Sequence, residues 1–244
     1  MISGLILAFQ FLTRIPVPIA IDFNDKNISR AIGFFSVVGI IMALIYSNVY
    51  KHLSNLDKEI SAFFILILMV ILTGGLHLDG LSDVADGFFS GRGKEETLKI
   101  MKDSRTGAFG TIAIVLLLLT KFIFLQKIEY QNLFFAVVNS RMGVYILILF
   151  GRAPSNGLGD TFQRLAPKKL IILEIIIYMV ILIYLGLAYL YTFLFSILLA
   201  FLLLLYSNKK IAGVNGDVNG AYIELSEALN FILYWGLSYG DILN

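Results

Sequence analysis

One uninterrupted apolar segment constrains the fold of this chain more than any other feature. Residues 170–206 contain a single charged side chain, Glu174. As one helix this run of 37 residues would be roughly 55 Å long, nearly twice the bilayer hydrocarbon thickness of about 30 Å. We therefore predict two membrane-spanning helices joined by a hairpin turn near residues 186–192.

Five further segments reach the length of about 20 apolar residues that a spanning helix needs. They are residues 32–50, 60–78, 107–126, 132–151 and 221–240. Of the 244 residues, 58% are hydrophobic and 15% are charged, which is too apolar for a soluble domain of this length. Because lipid cannot satisfy an exposed backbone, the sequence predicts an all-α polytopic membrane bundle of about seven spans, forming one domain over residues 1–244.

The N-terminal segment is short for a full span, and an eighth span is the alternative to a shallower helix. Pro16 and Pro18 end any helix there after at most about 15 residues. We expect residues 1–15 to form an interfacial or half-inserted helix.

The basic residues predict an orientation. Lys and Arg are concentrated in residues 79–106, 152–169 and 207–220. With seven spans, these three loops fall on one side of the membrane, and positively charged loops face the cytoplasm. The sequence therefore predicts a multi-pass protein of the cell membrane, with these loops in the cytoplasm.

Three aspartates follow one apolar segment, in the stretch GGLHLDGLSDVADGFFSGR at residues 74–92. Asp79, Asp83 and Asp86 are spaced i, i+4, i+7 and would share one face of a helix. A divalent cation would relieve their repulsion, and oxygen ligands without any cysteine favour Mg²⁺. His77 is placed to assist them. The alternative is a solvated helix end that carries aspartates only to stay in water.

A second polar stretch, GVNGDVNGAYIELSE at residues 213–227, precedes the last predicted span on the same side. Asp217, Asn219 and Glu224 offer further oxygen ligands, and we interpret the stretch as a second wall of the same site. The alternative is an ordinary turn, which Asn-Gly and Gly-Asp commonly mark.

Cations and a hydroxyl stand beside the acidic stretch. The segment KDSRTGAFG provides Lys102, Asp103, Ser104 and Arg105. Cations next to carboxylates and a metal are typical of sites that handle phosphate groups. Basic residues that contact lipid head groups are the alternative.

Arg141 lies in the middle of a predicted span. It is about 16 Å along the helix from Arg152, too far for its side chain to reach water easily. A charge at that depth is paired, and is by default functional; a purely structural ion pair is the alternative. Arg152 is the second residue of the stretch GRAPSNGLGDTF, which we interpret as a lid or substrate-facing loop.

Five motifs, in chain order, resemble the signatures of one family. They are FLTRIPVP, GGLHLDGLSDVADGFF, IMKDSRTGAFG, SRMGVYILILFGRAPSNGLGDTF and GVNGDVNGAYIELSEAL. They are similar to those of the cobalamin synthases, or adenosylcobinamide-GDP ribazoletransferases, and run along nearly the whole chain. The resemblance implies a Mg²⁺-dependent membrane transferase that joins adenosylcobinamide-GDP to α-ribazole or its 5′-phosphate. Adenosylcobalamin, or its phosphate, and GMP would be the products.

The residues and the resemblance together give a set of predicted roles. The predicted metal ligands are Asp79, Asp83, Asp86, Asp217 and Glu224. The predicted catalytic residues are Asp83, His77, Arg105 and Lys102. The predicted substrate-binding residues are Gly80, Asp103, Ser104, Arg141, Arg152 and Asn219.

The expected partners are the two small-molecule substrates and the lipid bilayer. No nucleic acid is expected, and an oligomer is compatible with the resemblance. One alternative function is a CDP-alcohol phosphotransferase, although DGLSDVADG lacks the arginine after alanine that those enzymes need. The other is an ion-coupled transporter, although the charges cluster at one face and no internal duplication is visible.

Overall fold

The computed structural model describes residues 1–55, 57–154 and 157–239, which form twelve α-helices and no β-strand. The helices are α1 (Ile2–Leu12), α2 (Asp25–Gly33), α3 (Phe35–Leu53), α4 (Lys58–Thr73), α5 (Leu76–Phe89), α6 (Lys94–Met101), α7 (Ala108–Leu125), α8 (Tyr130–Phe150), α9 (Leu158–Leu165), α10 (Lys168–Leu185), α11 (Leu187–Ile211) and α12 (Gly216–Tyr239). The predicted all-α class is confirmed.

Four of the described helices are long and apolar enough to cross a membrane, namely α3, α7, α8 and α11. The pair α4 and α5 would make a fifth span, but α5 is bent by 87° from α4. We count α5 as a separate segment outside the spans. The membrane bundle is thus confirmed, whereas the predicted number of seven spans is not. Helix α1 has 11 residues, about 16 Å, which is too short to cross.

The long apolar run folds as the predicted hairpin. Helix α10 ends at Leu185 and α11 begins at Leu187, with Gly186 between them at φ 139°. The rings of Tyr178 and Phe193, about equally far on either side of Gly186, pack edge to face at 5.0 Å. In one straight helix they would be roughly 22 Å apart.

The predicted helix over residues 60–78 is wrong, because α4 ends at Thr73. Gly74 and Gly75 both take left-handed backbone angles, with φ 61° and 71°, which end the helix and redirect the chain into α5. The Arg14 side chain lies directly against Gly74, where a Cβ would stand. The Arg14 amide also donates to the Leu72 carbonyl at 2.7 Å. The N-terminal segment therefore packs against this break.

Helix α8 forms the centre of the bundle. Its residues from Ala136 to Ile148 are all buried, so no side of it faces lipid over that length. The Tyr145 hydroxyl donates to the Ile32 carbonyl at 2.8 Å and accepts from the Ser36 amide at 3.1 Å. These bonds fix α8 to the junction of α2 and α3.

The last helix begins five residues earlier than predicted, at Gly216. Asn215 caps it, since its side-chain oxygen accepts from the Val218 amide at 3.0 Å. Asp217 and Asn219 therefore lie in the first turn of a helix and not in an open loop. Two other predicted loops also contain helices, α5 and α6 in residues 79–106 and α9 in residues 152–169.

Candidate functional site

The three aspartates of the acidic stretch all lie on α5, as their spacing predicts. Asp86 is engaged within the protein. It accepts hydrogen bonds from the amides of Gly107 at 2.7 Å and Gly110 at 2.8 Å. These amides belong to the N-terminal turn of α7, which has no intrahelical acceptor for them. Asp86 therefore fixes the start of α7 against α5.

A close backbone contact brings the second acidic stretch to the first. A Cβ added to Gly80 of α5 would stand 2.8 Å from the Asp217 carbonyl oxygen. A Cβ added to Gly220 of α12 would stand 3.2 Å from the His77 Cα. Only glycine permits this approach of the two helices, so Asp217 comes to lie beside the aspartates of α5.

Electrostatics perturb two of these carboxyl groups, Asp83 and Asp217. Burial is the main cause that raises the pKa of Asp83 to about 7, and the charges of Asp217, Asp79 and Asp86 raise it further. Burial also raises the pKa of Asp217, helped by Asp79 and opposed by a hydrogen bond from Asn215. In the part of the chain that the structure describes, no cation pairs with these carboxylates, which is the condition that favours a bound metal ion.

The donor set suits a hard cation such as Mg²⁺ by its chemistry. Asp79, Asp83 and Asp217 are the oxygen ligands that remain available. In the described parts of the chain, no group of three or more His, Cys, Asp or Glu side chains already stands in a metal-holding arrangement. The magnesium site therefore stays a prediction.

A cavity of about 240 Å³ opens beside these carboxylates. Its polar end is formed by His77, Asp79, Asp217 and Asn219. His77 is buried, with 4% of its surface exposed, and its Nδ1 has no hydrogen-bond partner among the described residues. The other end of the cavity is apolar. The structure thus brings together one predicted catalytic residue, two predicted metal ligands and one predicted substrate-binding residue.

The basic loop lies at the exposed edge of the site. Arg105 donates to Asp103 with an Nη2–Oδ2 distance of 2.6 Å, and the Arg105 side chain is 87% exposed. This hydrogen bonding lowers the pKa of Asp103 to about 2. Lys102 and Ser104 are also exposed. Because Gly107 is bonded to Asp86, the loop is anchored next to the acidic helix.

Two predicted site residues belong instead to a buried ion network. Lys121 lies 2.5 Å from both Glu224 and Glu227, and Arg141 also donates to Glu227. Glu224 is thus neutralised by a lysine and is unsuited to the metal role predicted for it. Arg141 is paired, as predicted, but its partner is a protein carboxylate and it does not line the cavity. Lys121 and Glu227 were missed, since nothing in the sequence identifies partners 106 positions apart.

The main chain of Arg152 helps to position the residues that precede α12. Its carbonyl accepts from the Val214 amide at 2.7 Å, which fixes the residues just before α12. The predicted lid around it is only partly visible, because residues 155–156 lie outside the described residues. Within the lid, α9 places Leu158, Gly159 and Phe162 on the cavity wall.

The aromatic wall was also missed by sequence reasoning. Phe11 of α1, Phe35 of α3 and Phe162 of α9 meet at the cavity although they are distant in sequence. A phenylalanine in an apolar segment is the expected residue there, so the sequence held no signal that distinguishes these three from the other seventeen phenylalanines.

The fold and these side chains define a polytopic helical membrane protein with a carboxylate-lined pocket at one end of its bundle. Residues 4–235 match the family model for cobalamin-5-phosphate synthase, and the chain belongs to that family. The resemblance noted in the sequence is therefore confirmed.

Curated relatives cover almost the whole chain. The adenosylcobinamide-GDP ribazoletransferase of Treponema denticola is 38% identical over 250 aligned residues, with 92% of this chain and 94% of the relative covered. The protein of the same name from Clostridium tetani is 36% identical, with 98% of each chain covered. That of Clostridium acetobutylicum is 34% identical, with 96% of each covered. No solved structure matches the chain.

Proposed function

We propose that this protein joins adenosylcobinamide-GDP to α-ribazole, or to α-ribazole 5′-phosphate, and releases GMP. The observation that carries the proposal is the match of residues 4–235 to the cobalamin-5-phosphate synthase family, together with relatives named for this transfer at 34–38% identity. The acidic pocket supports it, because transfer at a diphosphate requires that developing oxygen charge be neutralised.

The proposed reaction is a displacement at phosphorus. A free ring hydroxyl of the acceptor ribose forms a bond to the phosphorus attached to cobinamide, and the bond from that phosphorus to the GMP oxygen breaks. The attacking oxygen is not the 5′-oxygen, because α-ribazole 5′-phosphate carries its phosphate there. The acceptor hydroxyl loses its proton, and GMP leaves with the bonding electron pair. The product is a cobinamide–ribazole phosphodiester, so atoms and charge balance without any redox step.

The proposed metal ligands are Asp79, Asp83 and Asp217. When bound, Mg²⁺ would supply the charge neutralisation that a diphosphate needs. Asp86 is proposed to have a structural role instead, because its oxygens already accept hydrogen bonds from the first turn of α7. Glu224 is left out, because Lys121 neutralises it.

His77 is the proposed proton acceptor. Its Nδ1 is free of any hydrogen bond among the described residues, and the side chain lines the cavity next to Asp79. Burial is the main cause that lowers the pKa of His77 to about 3, so its imidazole is neutral and would take the proton from the attacking hydroxyl as a weak base. Asp83 is the second candidate among the predicted catalytic residues.

The exposed loop before α7 is proposed to bind the phosphate of the departing nucleotide. Lys102 and Arg105 would contribute positive charge, and Ser104 a hydroxyl, from a loop anchored beside α5. Asp103 orients Arg105 through three side-chain hydrogen bonds. This would leave Arg105 preorganised toward solvent, where a nucleotide enters.

The proposed location is the cell membrane with the pocket facing the cytoplasm. The support is that the loops richest in Lys and Arg contact one another and the acidic helix, since the Val214 amide donates to the Arg152 carbonyl and Lys210 donates to the Phe88 carbonyl of α5. Positively charged loops are retained in the cytoplasm. The two substrates are soluble cytoplasmic metabolites in this proposal.

The decisive experiment uses detergent-purified protein, adenosylcobinamide-GDP and α-ribazole, with Mg²⁺ or with a chelator. We expect mass spectrometry to detect the joined corrinoid and GMP only when Mg²⁺ is present. Asp83→Asn should lower the rate by about 10²-fold. Asp22→Asn makes the same chemical change at an exposed position and should leave the rate unchanged. Full activity of Asp83→Asn at limiting Mg²⁺ would contradict the metal assignment.

A further inference from the structure

The cavity beside the carboxylates has two chemically different ends. The apolar end is bounded by α1, α3, α8 and α9, and the polar end by α5 and the first turns of α12. Its volume of about 240 Å³ is near the lower limit of small-molecule sites, which begin at about 300 Å³. A bicyclic base with part of a ribose fits this size, whereas a corrin macrocycle does not.

Three phenylalanines make the apolar end aromatic. Phe11 and Phe162 pack edge to face at 5.1 Å, and Phe35 packs against Phe162 at 5.6 Å and against Phe11 at 6.5 Å. They come from three different helices and all line the cavity. Ring edges and faces arranged around a small volume favour another planar ring inserted among them.

The polar end contains hydrogen-bonding atoms that have no partner. Neither Nδ1 of His77 nor Oδ1 of Asn219 is hydrogen-bonded among the described residues, and both atoms are inaccessible to solvent. His77 itself is 4% exposed. A buried polar atom without a partner is destabilising. Both residues line the cavity, so a rotation of each side chain would turn these atoms toward a bound ligand.

We propose that this cavity binds the acceptor nucleoside, with its aromatic base among Phe11, Phe35 and Phe162 and its ribose toward His77 and Asn219. The ribose hydroxyl then lies next to Asp79 and Asp217, where the proposed displacement takes place. This inference rests on the proposed function and names the binding site of one of its two substrates.

The donor's guanine is a poorer occupant than the acceptor's base. Guanine presents hydrogen-bond donors and acceptors around most of its edge, and none of the described residues at the apolar end offers a polar side chain to meet them. A benzimidazole-type base presents mainly carbon there. Burying guanine would leave several of its polar groups without partners, which disfavours its binding.

Helix α9 closes the cavity from outside. It contributes Leu158, Gly159 and Phe162 to the wall, and it is a short helix between the partly described loop and α10. Gln163, on the same helix, donates to the Val214 carbonyl at 3.1 Å, which ties α9 to the residues before α12. The wall that holds the base is thus joined to the one that holds Asp217.

Two substitutions test the proposal by opposite routes. Phe162→Ala removes one aromatic wall, and Val144→Phe fills the cavity from α8 while adding apolar volume. We expect each to weaken equilibrium binding of α-ribazole, measured without any corrinoid, and to raise its KM roughly tenfold. The KM for adenosylcobinamide-GDP should change less than twofold.

Matched controls make the same chemical changes on lipid-facing surfaces. Phe195→Ala on α11 and Val115→Phe on α7 are at exposed positions away from the cavity. They should leave both KM values and α-ribazole binding unchanged. Thermal unfolding in detergent shows whether Val144→Phe is folded. If it is unfolded, Phe162→Leu is used in its place, because it also removes an aromatic ring from the cavity wall but changes the volume less.

Separate results overturn the two proposals. If the unsubstituted protein makes no corrinoid product, the proposed function fails. If it is active but Val144→Phe and Phe162→Ala bind α-ribazole normally, the cavity is not the acceptor site. Displacement of bound α-ribazole from the unsubstituted protein by guanosine would assign the cavity to the donor base instead.

Discussion

Removal of the Lys121 charge should destabilise the whole bundle. Lys121 of α7 lies 2.5 Å from Glu224 and 2.5 Å from Glu227 of α12, and the three side chains are 3%, 8% and 1% exposed. With Arg141, the network contains two positive and two negative charges. Lys121→Met keeps nearly the same volume but leaves one buried carboxylate without a counter-charge.

The size of the effect follows from that unpaired charge. Loss of one partner of a buried pair destabilises a protein by about 3–5 kcal/mol. At about 2–4 °C per kcal/mol for a chain of this length, the apparent Tm should fall by roughly 6–20 °C. We expect activity to fall too, because Glu224 and Glu227 lie on the same helix as Asp217.

A compensating change separates charge from packing. Lys121→Met/Glu224→Gln removes one charge of each sign and leaves Glu227 with Arg141, so it should recover at least half of the lost Tm. The assay is thermal unfolding of detergent-purified protein, followed by intrinsic fluorescence in one detergent. Lys127→Met, at an exposed position near the end of α7, is the control and should unfold like the unsubstituted protein.

Two results would refute this reasoning. The first is a fall in Tm of less than about 2 °C in Lys121→Met, which would mean that the lysine does not compensate buried charge. The second is a double variant no more stable than the single one, because the loss would then come from packing and not from charge.

Two further predictions concern the contacts that position the acidic helix. Gly80→Ala should lower activity at least tenfold, because its Cβ would stand 2.8 Å from the Asp217 carbonyl and push α12 away. Gly93→Ala is the control, since a Cβ there meets nothing within 4 Å, and its activity should equal that of the unsubstituted protein. Asp86→Ala should lower the Tm by roughly 2–8 °C, because two backbone amides at the start of α7 lose their acceptor. Asp86→Asn should lower the Tm less. Equal Tm values for both variants and the unsubstituted protein would contradict the capping role.

Much of the fold could be predicted because lipid imposes simple length rules. The ends of α7 and α8 lie within two residues of the predicted spans, and the hairpin at Gly186 follows from the length of the apolar run. The break at Gly74 could not be predicted. Gly74 accommodates the Arg14 side chain, whose position depends on tertiary packing between distant segments.

The chemistry of the site was predictable in type but not in detail. The i, i+4, i+7 spacing predicted one acidic helix face, and α5 confirms that helix. Which carboxylates have partners depends on contacts between distant segments, such as α5 with the start of α7 or α7 with α12. Sequence spacing within one helix contains no information on these contacts.

The five predicted metal ligands differ in how their charge is compensated, and this difference assigns their roles. Lys121 compensates Glu224 inside the bundle, and helix amides satisfy Asp86. Asp79, Asp83 and Asp217 have neighbouring carboxylates but no paired cation among the described residues. Burial is the main cause of the raised pKa of Asp83, and the neighbouring carboxylates raise it further. These uncompensated carboxylates would stabilise a cation that binds together with the diphosphate substrate. Binding of the metal and of the diphosphate should therefore strengthen each other.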